Sequence, residues 1–370
     1  MIILIVCVFL SGQAQTESEY KEIDEKIIQF SSPINNEVVD GLIAFINNNF
    51  STETDKLRAI AIWISNNFDY DIINIDTYEY YSETQEIITS MLKNKKGICA
   101  HFAELFSEIA NKLGIKTYVI SGYVKQHGLI ANFPHVWCAS FIDTAWFLTD
   151  PTWFTGHVEN HEFIKKQSDW YFKATTENMI RSHMPFDPLW QFLYYPISPQ
   201  EFYEGNTAIC KENPFFNYVD TLKIYENSSK AEKLISTIRR IEQIGEGNIL
   251  APNQQHMIGE EKIAMKNQLS TVYYNSAVDF YNEGVNKLNW FIDQWNKKQM
   301  TQKKQAEVKN MIKSIEKTLI NSQNELQKID TTDINILRST NEFQALLNKT
   351  FARVKDLNDF IDKHFTSQKR

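Results

Sequence analysis

Apolar residues recur at helical spacing in the first third of the chain. In residues 34–50, INNEVVDGLIAFINNNF, the apolar positions are Val38, Val39, Leu42 and Ile46. In residues 54–68, TDKLRAIAIWISNNF, they are Leu57, Ile60, Ala61, Ile64 and Phe68. Each stripe predicts a helix with one buried face. A polar, Tyr-rich stretch follows to about residue 85, and a third helix is predicted from Cys99 to Leu113. Phe102, Leu105, Phe106, Ile109 and Leu113 lie on one side of it, and Gly114 is its stop.

The texture then turns to strands. KTYVISGYV, PHVWCASFI and AWFLTDPTW are rich in β-branched and aromatic residues, and Asp143-Thr144 makes a short turn between the last two. Helices followed by strands predict an α+β domain built on an antiparallel sheet. Residues 156–205 are aromatic and Pro-punctuated without a period, and predict loops and short elements. After about residue 215 Lys, Asn, Gln and Glu rise. Val308, Ile312, Ile315, Leu319, Leu326 and Ile329 step by four and three, with Ser322 in the gap. Leu269, Tyr273, Ala277, Phe280, Gly284, Leu288, Phe291 and Trp295 make a second stripe. Phe343, Leu347, Val354, Leu357, Ile361 and Phe365 make a third, entered through an N-cap at Asp333. The stripes predict a C-terminal bundle of three or four antiparallel helices, with GEGNILAPNQQ, residues 245–255, as a linker or long loop. The expected division is a leader at 1–14, an α+β domain at 15–212 and the bundle at 213–370.

The leader is MIILIVCVFLSGQAQ. Its apolar run is too short to span a bilayer. Gly12 and Ala14 suit a signal-peptidase site before Gln15, so a secreted or periplasmic protein is expected. Cys7 makes a poor lipoprotein site, because the large Val6 precedes it. The 370 residues carry a net charge of −8 and a pI near 5.6. No basic surplus points to nucleic acid or an anionic membrane. The apolar fraction of 43%, with 24 Phe and 8 Trp, is that of a folded chain. Of its 4 cysteines, Cys99, Cys138 and Cys210 follow the leader, and an odd set leaves at least one thiol unpaired.

Cys99 begins a helix, directly after Gly97-Ile98. Cys99 and His101, with His135 and Cys138, have metal-ligand chemistry. However, residues two apart on a helix diverge by about 200°, and residues three apart on a strand face opposite ways. No metal is expected. Any single Cys is by default core filling, and Cys138 and Cys210 are expected to be core residues or to pair with each other. Cys99 differs because the unsatisfied N–H groups and positive end of a helix favour a thiolate nucleophile. Gly97 allows backbone and substrate to approach closely. His135 stands on one predicted strand and Asp150 ends the next. Alone, each reads as a satisfied strand histidine and a turn aspartate. Paired strands would set Asp150 beside His135, and the helix start would deliver Cys99 to the other ring nitrogen.

These residues resemble a known family. GICAHFAELFSEIANKLGIKTYVISGY, PHVWCASF and AWFLTDPTW are similar to the transglutaminase-like core of the papain-type cysteine superfamily, across roughly residues 40–155. The helix DKLRAIAIWISNNFDYD resembles the segment before that core. SHMPFDPLWQFLYYPISPQEF is similar to the kyphoscoliosis-peptidase type of member. The resemblance implies a triad of Cys99, His135 and Asp150, the last in a D-P-[ST] setting. It implies acyl transfer through a thioester, with water or an amine as acceptor, on a peptide or protein substrate and without a cofactor. An upstream side chain sometimes helps the oxyanion in this family, and Trp63 and Tyr70 are the candidates here. The alternative is a non-catalytic binding or scaffold protein that uses the same fold and the helical bundle to hold a protein partner.

Overall fold

The computed structural model describes residues 13–31, 34, 37–73, 84–245, 250–300 and 303–367. The expected leader lies almost wholly outside these residues. The chain forms two compact units. One comprises residues up to Leu222 together with Arg240–Ile258, the other Lys223–Arg239 and Gly259–Arg370.

In the first unit, helices α1 (Gln13–Ile28), α2 (Val38–Asn49) and α3 (Glu53–Asn67) precede a two-residue strand β1 (Asp69–Tyr70). α3 starts where Thr52 accepts the Asp55 N–H at 3.1 Å, with Glu53 and Asp55 in its first turn. Residues 57–65 of α3 are buried all round, as befits a helix enclosed by neighbours. Its Arg58 is held between Asp24 and Asp169, its guanidinium 4.7 Å from the Tyr20 ring centroid. α4 (Thr84–Asn94) leads to β2 (Lys96–Gly97), which pairs in parallel with β1, and then to α5 (Cys99–Lys112). Gly114, at φ +82°, lets α5 end with Ile115 N–H donating back to Ala110 O at 2.9 Å.

The sheet is built from β3 (Thr117–Gln126), β4 (Leu129–Ile130), β5 (His135–Ile142) and β6 (Ala145–Thr149), ordered β4-β3-β5-β6. The register pairs Val119 with Cys138 and Cys138 with Thr149. Strand parity therefore turns Val136, Cys138 and Ile142 one way and His135 and Trp137 the other. Val136, Cys138 and Ile142 join Phe102, Phe106 and Ile109 of α5, and Ile60 and Ile64 of α3, in one apolar core. The run AWFLTDPTW is strand only to Thr149. Asp150 then caps α6 (Pro151–Thr155), because its side chain accepts from the next turn and Pro151 suits a helix start.

Residues 156–205 do form short elements: a hairpin β7 (Gly156–Glu159) and β8 (Glu162–Lys165), α7 (Thr176–Met179), β9 (His183–Pro185) and α8 (Pro199–Glu204). β9 pairs antiparallel with β3, matching Gly122 to Pro185 and Val124 to His183. α9 (Tyr218–Asn227) and α10 (Lys230–Gly245) follow. Packing of the first unit runs beyond residue 212 for identifiable reasons. Arg240 donates to both carboxylate oxygens of buried Asp187 at 2.8 and 2.6 Å. The Gln254 amide donates to Tyr123 Oη at 3.4 Å and Pro199 O at 3.2 Å.

In the second unit, the later part of α11 (Pro252–Asn296) packs with α12 (Gln305–Leu326) and α13 (Ile334–Ser367). The last four residues of the expected 245–255 linker thus begin α11, with Pro252 at the first position. Ser322, in the gap of the α12 stripe, donates to Ala277 O at 2.7 Å. Gly284 lets Leu319 approach so closely that a Cβ there would lie 2.7 Å from its Cδ2. Asp333 caps α13 by accepting from Asn335 and Ile336 N–H. Contacts such as Gly284 with Leu319 and Trp295 with Phe360 make α11 antiparallel to α12 and parallel to α13.

Candidate active site

Cys99 is the first residue of α5 and is fully buried. Three local features hold it. β2 is tied to β1, and Asp71 N–H donates to Gly97 O at 2.9 Å. His101 turns back so that its Nδ1 accepts the Ile98 N–H at 3.3 Å, a cap supplied by an imidazole in place of a Ser or Asp. Gly97 is needed for that turn, since a Cβ there would fall 2.6 Å from both Cβ and Cγ of His101. The close approach at Gly97 is therefore made by His101. Burial pushes the His101 imidazole down to about 4, although Asp71 pulls the other way, which keeps it neutral and able to accept.

His135 opens β5, and Asp150 follows β6 on the same sheet face. Asp150 Oδ2 lies 2.7 Å from His135 Nε2. Cys99 also acts on this imidazole, raising its hold on a proton, and the ring nitrogen that Asp150 leaves open is Nδ1. Asp150 Oδ1 is committed elsewhere, accepting the N–H groups of Thr152 at 2.9 Å and Trp153 at 3.1 Å. The helix cap thus fixes one carboxylate oxygen and leaves the other for histidine.

A second histidine reaches that other oxygen. His183 Nε2 lies 3.1 Å from Asp150 Oδ2, and its Nδ1 lies 2.8 Å from Ser182 Oγ. Reading single residues missed it. β9 is too short to show a period, and a lone His reads by default as a core residue. The only signal was its place in SHMPFDP, inside the segment that carried a family resemblance. The ligand atoms of His135, Asp150 and His183 lie within 4.8 Å of one another, a spacing that a metal site also shows. Here the N···O separations are those of N–H···O hydrogen bonds, and the oxygen itself stands where the two histidines converge. The metal-type set Cys99, His101, His135 and Cys138 is not assembled, since His101 faces Ile98 N–H and Cys138 Sγ faces Ala103 O at 3.3 Å.

Trp137 and Trp153 flank the imidazoles. The Trp153 ring is 5.5 Å from His135 and 4.7 Å from His183, and Trp137 is 5.1 Å from His183. In this apolar setting charges interact strongly. Burial alone would push the Asp150 carboxyl up, but the charge and hydrogen bond of His135, with His183 adding, hold it far below the usual carboxylate range. Burial alone would lower His135, yet Asp150, with Cys99 adding, raises it to about 10. His183 shifts downward, because its burial outweighs Asp150. The set is an ionised Asp150–His135 pair beside a neutral His183. Among the described residues, two buried polar atoms lack partners, Trp137 Nε1 and Thr152 Oγ1; each is two residues from the pair.

The remaining candidates are accounted for by packing. Cys138 is buried against α5, and burial pushes its thiol up. Cys138 and Cys210 are both free, so they do not pair. Trp63 sits in α3 with its ring edge-on to Phe68 at 5.4 Å, and the Tyr70 ring lies against Phe102 and Phe163.

Residues 42–151 match the family model of the transglutaminase-like superfamily. The chain is 27% identical over 187 residues to kyphoscoliosis peptidase of Homo sapiens, covering 48% of this chain and 27% of that protein. It is 27% identical over 200 residues to cytokinesis protein 3 of Saccharomyces cerevisiae, covering 48% of this chain and 22% of that one. The match therefore spans about a quarter of the length of these curated relatives. A solved structure described as a TGase aligns at 23% identity and a TM-score of 0.28, covering 43% of this chain and 42% of that one. The chain carries a domain of the transglutaminase-like superfamily, over residues 42–151.

Proposed function

We propose that the protein is a cysteine acyl-transfer enzyme acting on peptide or protein amides, with Cys99 as nucleophile, His135 as general base then acid, and Asp150 as the group that orients His135. The observation that carries this reading is the His135 imidazole held by Asp150 at 2.7 Å on the sheet face, with Cys99 at the start of α5 acting on the same ring. In the reaction, the Cys99 sulfur bonds to the acyl carbon as thiolate while His135 holds the thiol proton. The C–N bond breaks and the amine leaves with that proton. Water or a second amine then attacks the thioester, gives its proton to His135, and Cys99 leaves as thiolate. His101 and Phe102 N–H donate to Ile98 O, so the N–H groups of Cys99 and Ala100, at the very start of α5, are the ones placed to serve as donors for the oxyanion. The human relative is named a peptidase, which favours water as acceptor. The apolar leader supports an exported setting.

Cys99 has no exposure, so an acyl group reaches it only when the site opens. That burial also favours a second reading, a non-catalytic domain that holds a protein partner. Two measurements separate them: acyl-enzyme capture on a panel of peptides and amines with wild type and Cys99→Ala, and iodoacetamide labelling followed peptide by peptide. The enzyme reading expects a Cys99-dependent thioester and faster labelling of Cys99 than of Cys138 or Cys210. No thioester from any panel member, with Cys99 the slowest thiol, leaves the binding reading standing.

A further inference from the structure

We propose that His183 is a positioning residue of the Cys99–His135–Asp150 site, sharing the Asp150 oxygen that binds His135 and thereby limiting how firmly His135 keeps its proton. The inference rests on the acyl-transfer reading and adds a residue to it.

The geometry fixes what His183 can be. Asp150 accepts, so His183 Nε2, 3.1 Å from Oδ2, must carry hydrogen. A neutral ring then has a bare Nδ1, and Ser182 Oγ at 2.8 Å is placed to donate to it. Ser182 thus selects the tautomer that Asp150 needs. A purely structural histidine could satisfy Nε2 on any carbonyl. This one is delivered by β9 to the same oxygen that binds His135. Its position is tightly set: a Cβ on Gly122 would lie 2.2 Å from Met184 O, so β3 and β9 touch backbone to backbone beside it.

Two N–H donors on one carboxylate oxygen share its charge. With His183 absent, Asp150 would offer its whole unshared lone-pair field to His135. The carboxylate could not turn away, because Thr152 and Trp153 N–H anchor Oδ1. His135 would then hold its proton more tightly and be a poorer acid for the leaving amine. The titratable groups facing the pair are Cys99 from α5, His183 from β9 and Tyr171, whose ring is 6.0 Å from His183. Glu104 of α5 acts on Cys138 behind the sheet.

The test is imidazole ¹⁵N NMR on the full chain, with iodoacetamide labelling of the same samples. In wild type, His183 is expected as the Nε2–H tautomer, staying unprotonated to lower pH than an ordinary imidazole because it is buried. His183→Leu is expected to raise the His135 protonation midpoint by about one pH unit, tenfold in proton affinity. His183→Gln, whose amide N–H can stand where Nε2 stood, is expected to restore most of it. An unchanged or lowered His135 midpoint in folded His183→Leu overturns the inference. So does a wild-type His183 found as the Nδ1–H tautomer, a measurement that needs no variant to fold. Rapid Cys99 labelling with a His183-independent midpoint overturns this role and leaves acyl transfer intact. Unreactive Cys99 with a His183-dependent midpoint overturns acyl transfer and supports the hold of His183 on the pair.

Discussion

Gly122→Ala adds one methyl group where β3 and β9 meet. The new Cβ would stand 2.2 Å from Met184 O, 2.5 Å from Trp137 Cη2 and 2.7 Å from Pro185 Cα. Two of these atoms are backbone, and Trp137 is a fully buried ring, so no flexible chain end can step aside. Gly122 does not adopt a positive φ, so the whole cost is contact. Restoring a normal separation of about 3.5 Å requires β9 to retreat by roughly 1 Å. Beside the ladder itself, β9 is docked by the bonds from Lys125 N–H to Ser182 O at 2.8 Å and from Phe186 N–H to Ser121 O at 3.1 Å. Weakening them costs about 1 kcal/mol each, and residual overpacking costs about 1–3 kcal/mol. The sum is about 3 to 5 kcal/mol. For a unit of this size that lowers Tm by about 6–20 °C, read by calorimetry and near-UV circular dichroism. The control is Gly259→Ala in α11, where a Cβ meets nothing within 4 Å, and about 0.5–1 kcal/mol should be gained from helix propensity. Because β9 carries His183, Gly122→Ala should also raise the His135 midpoint in the direction expected for His183→Leu. A Gly122→Ala protein that melts with wild type refutes the reasoning.

Asp150→Asn can keep the α6 cap through its oxygen, but it turns an N–H₂ toward two histidines that donate. It should slow Cys99 labelling at least about tenfold and cost roughly 2–4 kcal/mol in urea unfolding, as expected for breaking a buried pair. His101 gives an acid-side effect: unfolded, it binds a proton below its ordinary 6.5, whereas folded it refuses until about 4. Stability should therefore fall as pH drops, by about 2 kcal/mol from this group at about pH 5. His101→Asn, which keeps an acceptor for Ile98 N–H, should remove that part of the slope, while the downshifted His183 keeps its own share of the same sign. Arg240→Ala leaves Asp187 buried without its cation and should cost about 3–5 kcal/mol in the first unit. A chain ending at residue 212 should show the same loss.

Periodicity made the long helices legible. The stripes through Phe102, Val308 and Leu347 became buried faces, because one apolar stripe on a long helix has few places to go, whereas α3, predicted to bury one face, is buried all round from Leu57 to Ser65. The β-rich run PHVWCASFI was equally readable, and parity alone put Cys138 behind the sheet and His135 in front. What could not be read is what depends on contacts distant in sequence. β9 has no pattern of its own and exists because Gly122 leaves room for it. Arg240 and Gln254 lie in a segment whose composition matches the bundle, yet their partners Asp187, Tyr123 and Pro199 lie far upstream. Gly97 looked like room for a substrate. Nothing local indicated that the His101 ring fills it.

Asp150 shows why a turn motif and the carboxylate proposed to orient His135 occupy one position. Pro at the first position of α6 fixes the local backbone and has no N–H to place. The preceding Asp must then cap the turn, and a cap uses one side-chain oxygen in a defined direction. The second oxygen is thereby aimed without needing any further contact to aim it. β6 pairs with β5 in a register that sets Cys138 against Thr149, so the next residue faces the side of the sheet where His135 stands. A turn aspartate at the end of this strand orients His135 because the same three constraints, proline, cap and register, apply to it together. A glutamate there would lose the short cap, and an aspartate one residue earlier would face α5. The sequence D-P-T after a short strand, paired with a strand that opens on His, is therefore a physical description of how the Asp150–His135 pair is held.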